Sequence, residues 1–240
     1  MLVEVCANSL ESAINAEKAG ADRIELCSEL AVGGITPSYG LLRAVKKHIS
    51  IPVHVLIRPR SGDFTYSEYE FDSMGRDIEL CRELGFEGIV SGILHRDYTL
   101  DEARTADLIA FSKGLRFTFH RAFDWVRNPL ETLGRLNDLG VDCVLTSGQQ
   151  KSAKEGLPLL KALKESSSNI MILPGSGIND HNIEMFKKEG FGAVHLSGTK
   201  FHRTLSIPPS ISMNTASFLK DDQLGISDFE TIKAVVNKVK

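Results

Sequence analysis

Leu2-Val3-Glu4-Val5-Cys6, a stretch of helical rhythm closing at Gly20, and then Arg23-Ile24-Glu25-Leu26-Cys27 together decide the architecture. Two short apolar runs flank an amphipathic segment, which reads as strand, helix, strand. A helical crossover of that length joins strands that run parallel. The same alternation repeats outward from this unit. Further strands are expected near residues 53–58, 88–94, 116–120, 143–147, 170–174 and 193–197, each followed by a helical pattern. Eight such units fill 240 residues without a linker or a break in composition. The fold class read from this is α/β, a (β/α)8 TIM barrel forming one domain over residues 1–240. The first βα turn has no G-x-G-x-x-G, so neither a dinucleotide site there nor a nucleotide cofactor is expected. Residues 198–227 carry Pro208-Pro209 and many Ser and Thr, and are expected to form a long loop between strand eight and a last helix over 228–239.

Cap signals mark the helix starts: Asn8 with Glu11, Ser67 with Glu70, Thr99 with Glu102, Asn128 with Glu131, Ser152 with Glu155 and Ser227 with Glu230. Pro37 and Pro129 suit the first helical turn, where a missing N–H is harmless. Phe71, Met74, Ile78 and Cys81 share one helical face, which makes Cys81 a core residue.

The 28 Lys and Arg against 31 Asp and Glu leave a net charge of −3, which gives no footprint for nucleic acid. No apolar run approaches the ~20 residues of a membrane span. Four cysteines do not make a disulfide framework, and the first residues lack the basic and apolar regions of a signal peptide. A cytoplasmic setting with reduced thiols is therefore expected.

Alternate residues of a barrel strand point inward, and chemistry collects at the C-terminal strand ends. Strand parity turns Glu4 and Cys6, Glu25 and Cys27, then His54, Leu56 and Arg58, Thr118 and His120, and His195 and Ser197 to the interior. Such a polar set needs partners or a use, because buried charge costs desolvation. Glu4, Glu25 and His120 are the candidates for proton transfer. A purely structural network, with Glu4 and Glu25 neutralised by Arg58, is the alternative. Cys6 and Cys27 end adjacent strands, ~4.8 Å apart, and two inward thiols there suit a soft ion such as Cu(I). They read equally as two small buried hydrophobes.

Gly175-Ser176-Gly177 and Ser197-Gly198 follow strands seven and eight, where barrels often hold phosphate, and Arg58 can add charge to such an anion site. No lysine falls inside a strand, so Schiff-base chemistry has little support.

Glu4-Val5-Cys6, Gly20 through Cys27, Gly33-Gly34 with Thr36-Pro37-Ser38, Ile57-Arg58-Pro59-Arg60, Thr118 through Asp124, Leu145 through Gly148 and His195-Leu196-Ser197 together resemble the CutC copper homeostasis family over about residues 1–200. The resemblance implies a cytoplasmic, often oligomeric TIM barrel that takes Cu(I) and serves copper homeostasis. Carried over residue by residue, it places the copper ligands on Cys6 and Cys27. Where the family has three glycines after strand seven, this chain has Gly175-Ser176-Gly177. The partner implied is a copper ion. The alternative is an enzyme on a small phosphorylated or carboxylated metabolite, which would use the inward carboxylates, His120 and the glycine loops.

Overall fold

The computed structural model describes residues 1–213 and 220–240. Strands and helices alternate as β1 (Leu2–Ala7), α1 (Leu10–Ala19), β2 (Arg23–Leu26), α2 (Tyr39–His48), β3 (Val53–Leu56), α3 (Glu68–Glu83), β4 (Gly88–Ser91) and α4 (Glu102–Phe111). They continue as β5 (Arg116–Phe119), α5 (Pro129–Asp138), β6 (Cys143–Thr146), α6 (Leu157–Ser166), β7 (Met171–Pro174), α7 (Ile183–Lys188) and β8 (Ala193–Leu196). The first eight strands form one parallel sheet in the order β7-β6-β5-β4-β3-β2-β1-β8, and β7 lies beside β8 to complete the ring. This is a (β/α)8 TIM barrel.

Parity sorts the side chains as the alternation requires. Val3, Val5, Ile24, Val55, Ile89, Phe117, Val144 and Val194 face outward into one continuous core with the helices, which also takes Met74, Ile78 and Cys81 of α3. Inside the ring, the apolar residues fall into two small groups: Cys6, Cys27, Leu56 and Val90 in one, and Cys143, Leu145, Leu173 and Ala193 in the other. Buried polar side chains fill the rest of the interior.

The caps follow the sequence in kind more than in position. Ser67 and Glu70 make a full capping box on α3, and Pro129 opens α5. Elsewhere a neighbour takes the expected cap's place: Ser9 on α1, Asp101 on α4 and Asp228 on the last helix, while Ser38 caps α2 and leaves Pro37 ahead of the helix instead of in its first turn. Ser152 Oγ does accept from Glu155 N, but one turn ahead of α6. A cap is chosen by where the packed apolar face lets the first turn begin, and each site offered two competent side chains.

The described residues of 198–227 are not all loop. Their ends pair as an antiparallel ribbon of β9 (Thr199–Arg203) and β10 (Gln223–Ser227), with Thr199 opposite Ser227. Residues 214–219 of the expected loop lie outside the described residues. The ribbon is tied to the barrel by Asn8 Nδ2 donating to the Gly225 carbonyl and by Ser227 N donating to Ser12 Oγ. It leads directly into α8 (Phe229–Val239).

Candidate metal centre in the barrel mouth

Three strands, β1, β2 and β8, position the centre. Glu4 of β1 lies opposite Arg23 of β2 and His195 of β8, and Cys6 lies opposite Glu25. Arg23 Nε donates to Glu4 Oε2 at 2.5 Å, and His195 Nδ1 lies 2.7 Å from Glu4 Oε1. One inward step higher, Cys6 Sγ lies 3.5 Å from Glu25 Oε1 and 3.5 Å from Cys27 Sγ. The second oxygen of Glu25 is buried without a hydrogen-bond partner. The ligand atoms of Cys6, Glu25 and His195 all lie within 4.8 Å of one another.

The electrostatics divide this interior into a fixed layer and a labile one. Burial pushes the Glu4 carboxyl up, but the Arg23 guanidinium and His195 outweigh it and hold it at about 2. Glu4 is therefore a carboxylate at neutral pH. Burial raises Glu25, and the attraction of His195 only partly opposes that. Burial lowers His195, yet Glu25 and Glu4 more than offset it, so the ring titrates above its usual range. The hydrogen bond with Cys27, then burial and Glu25, push the Cys6 thiol well up. All four cysteines are free thiols.

Two sulfurs 3.5 Å apart constrain any metal they share. With a metal–sulfur length of ~2.3 Å, they subtend an angle of about 100° at the ion. That is a corner of a three- or four-coordinate site, and Glu25 and His195, whose ligand atoms lie within 4.8 Å of the Cys6 sulfur, would supply the further ligands. Glu4, by gripping Nδ1, leaves Nε2 as the ring nitrogen available to a metal.

Above the sulfurs opens a cavity of about 690 Å³, walled by strand ends and βα loops. Cys6, Glu25, Arg58, His120, Ser176, Gly177, Ser197 and Gly198 all line it. Cys27 is fully buried behind Cys6, and Glu4 is sealed one layer below. Gly175 packs at the end of β7, where an added Cβ would come within 2.6 Å of Leu145. After this loop, α7 begins only at Ile183 and has six residues, with the Asn182 side chain accepting from Asn179 N.

Arg58 does not neutralise the two glutamates. Its guanidinium donates to the carbonyls of Val32, Gly34 and Gly62, each at 2.8 Å. The counter-ion is Arg23, which shares the inward parity of Glu25 and Cys27 and could have been found by it. His195, the other residue missing from the expected site, was visible by the same alternation; its register against Glu4 was not. His120 is held neutral, because burial and then the charge of Arg58 push it down to about 3. Its Nδ1 accepts from Ala122 N, which places the ring proton on Nε2.

A model of the CutC family matches residues 1–200. The chain belongs to the CutC family. A family protein CutC of Erwinia tasmaniensis is 47% identical over 198 residues, covering 82% of this chain and 79% of that protein. The human copper homeostasis protein cutC homolog is 43% identical over 244 residues, covering 98% of this chain and 87% of that one. A solved Streptococcus agalactiae structure, whose name assigns it to CutC and copper homeostasis, is 33% identical with a TM-score of 0.78, and covers 81% of this chain and 97% of its own. Among the described residues no helix is long and apolar enough to cross a membrane.

Proposed function

We propose that the protein binds one Cu(I) ion between Cys6 and Cys27 and serves copper homeostasis in a reducing, cytoplasmic setting. The observation that carries this reading is the 3.5 Å separation of the free Cys6 and Cys27 sulfurs, with the ligand atoms of Glu25 and His195 within 4.8 Å of the Cys6 sulfur. Thiolates select soft ions such as Cu(I), whereas oxygen-only sites favour hard ones. The names of the relatives point the same way. Burial excludes competing water, and Glu4 keeps the His195 ring oriented while the ion exchanges.

The test is an anaerobic competition titration with a Cu(I) chelator under reducing conditions. Wild type is expected to take up one Cu(I) per chain. Cys6→Ser and Cys27→Ser should each weaken binding by at least about a hundredfold, as loss of a ligand rather than of a supporting partner requires. Wild-type affinity in either variant, or stoichiometric Zn(II) uptake without Cu(I) uptake, overturns the reading.

A further inference from the structure

The mouth cavity is far larger than one ion needs, and its other wall is built. Arg58 is 5% exposed, yet among the described residues no carboxylate lies within ion-pair distance of it. Three carbonyls solvate the guanidinium without neutralising it, and Nε is buried with no partner. A buried cation in this condition is costly unless an anion completes it. The chain gives way to keep it there: Gly33 leaves room for Nη1, which would lie 3.2 Å from an added Cβ.

Phe64 joins this charge to a second group. Its ring lies under the Arg58 guanidinium at 5.1 Å and against the His120 ring at 4.8 Å. His120 Nε2, the protonated nitrogen, is buried without a partner. Trp125 continues the wall, its ring 4.7 Å from Phe64 and 44% exposed. The volume of about 690 Å³ lies within the range of small-molecule pockets.

We infer that this wall binds a small organic carboxylate, its anionic end at Arg58 and His120 and its apolar body against Phe64 and Trp125. One guanidinium and one imidazole N–H match the two oxygens of a single carboxylate and fall short of a phosphate dianion. The aromatic wall calls for an apolar or planar body behind that carboxylate. The inference goes beyond copper binding and stands without it, since neither thiol takes part.

Trp125 is the only tryptophan in the chain, so its emission reports on this wall directly. The full chain is titrated with phenylacetate, with the neutral phenylacetamide and with inorganic phosphate. Phenylacetate is expected to give a saturable change, with phenylacetamide at least about tenfold weaker, the scale of one lost charge-assisted hydrogen bond. Arg58→Met should weaken phenylacetate similarly. Because that variant strands three carbonyls, His120→Phe, which keeps the ring's shape without its N–H, provides a second reading, with urea midpoints confirming that each is folded. Cys27→Ser should keep phenylacetate affinity within about twofold while losing Cu(I), which separates failure of one site from failure of the other. Equal binding of acid and amide, tighter binding of phosphate, or no saturable change up to the solubility of phenylacetate overturns the inference.

Discussion

Glu4 Oε1 accepts from His195 Nδ1 at 2.7 Å, and the Glu4 side chain has no exposed surface. The same carboxylate takes Arg23 on its other oxygen. Glu4→Gln keeps the size but removes the charge that both partners need. Loss of one member of a buried pair costs about 3–5 kcal/mol, because the remaining charge is left uncompensated. The expected result is a drop of that order by urea unfolding, together with a 10–100-fold loss of metal affinity as His195 loses its orientation. His195→Gln should cost the affinity while sparing the Arg23 pair. A Glu4→Gln protein with wild-type stability and metal binding would show that Glu4 holds neither partner.

Metal binding should weaken as the solution is acidified. Cys27, burial and Glu25 hold the Cys6 thiol well above its ordinary range, so at neutral pH the metal must displace at least that proton. Affinity is then expected to fall by at least about tenfold for each pH unit lowered. Competition titrations at pH 8, 7 and 6 measure the slope. A flat profile would mean that no thiol proton leaves.

Stability should also depend on pH, in a window set by two buried histidines. Burial, then Arg23, lowers His54 to about 4, and burial, then Arg58, lowers His120 to about 3. Both folded values lie below the unfolded one near 6.5. Their contribution is complete above 6.5 and is lost as pH falls toward the folded values. Between pH 6.5 and 5.0 the two together should remove about 3 kcal/mol. His195 is raised, so its contribution is present below 6.5 and lost as pH rises through its folded value; it does not offset this fall. Glu4 adds its own loss only lower down, between the ordinary carboxylate range and about 2. Urea midpoints at pH 6.5 and 5.0 test the window, and equal midpoints would exclude it. His54→Gln should make the fall shallower.

The barrel was legible because period-2 and helical patterns alternate without interruption, and local pattern is what fixes a βα unit. Parity also found the inward Cys6, Cys27, Glu25 and His195, since it depends on nothing beyond strand boundaries. It could not say which inward charges meet. Arg23 and Arg58 are both inward, but register sets Arg23 opposite Glu4, whereas Arg58 lies past the end of β3, among loop carbonyls. Register between strands is a tertiary quantity, fixed by packing around the whole ring. The β9–β10 ribbon was missed for the same reason, because its two strands are far apart in the chain and each looks like loop by itself.

Gly34 joins the fold to the metal centre. Its φ is +85°, a backbone conformation that costs a non-glycine residue about 1–2 kcal/mol. An added Cβ would also lie 2.7 Å from Leu56 Cδ2 and 3.3 Å from Cys27 Cβ, while the Gly34 carbonyl accepts from Arg58. Gly34→Ala must therefore move Leu56 or Cys27, and forcing a methyl into a packed interior adds about 1–3 kcal/mol. Gly114 offers the control. Its φ is +92°, and an added Cβ there meets nothing within 4 Å. Gly114→Ala should show the backbone strain alone, about 1–2 kcal/mol, and leave Cu(I) affinity unchanged. Gly34→Ala should cost about 2–5 kcal/mol by urea unfolding, the sum of the two terms, and weaken Cu(I) binding by displacing the Cys27 sulfur from its 3.5 Å contact with Cys6. If Gly34→Ala matched Gly114→Ala in both stability and affinity, the close approach at Cys27 would not be what places the sulfur.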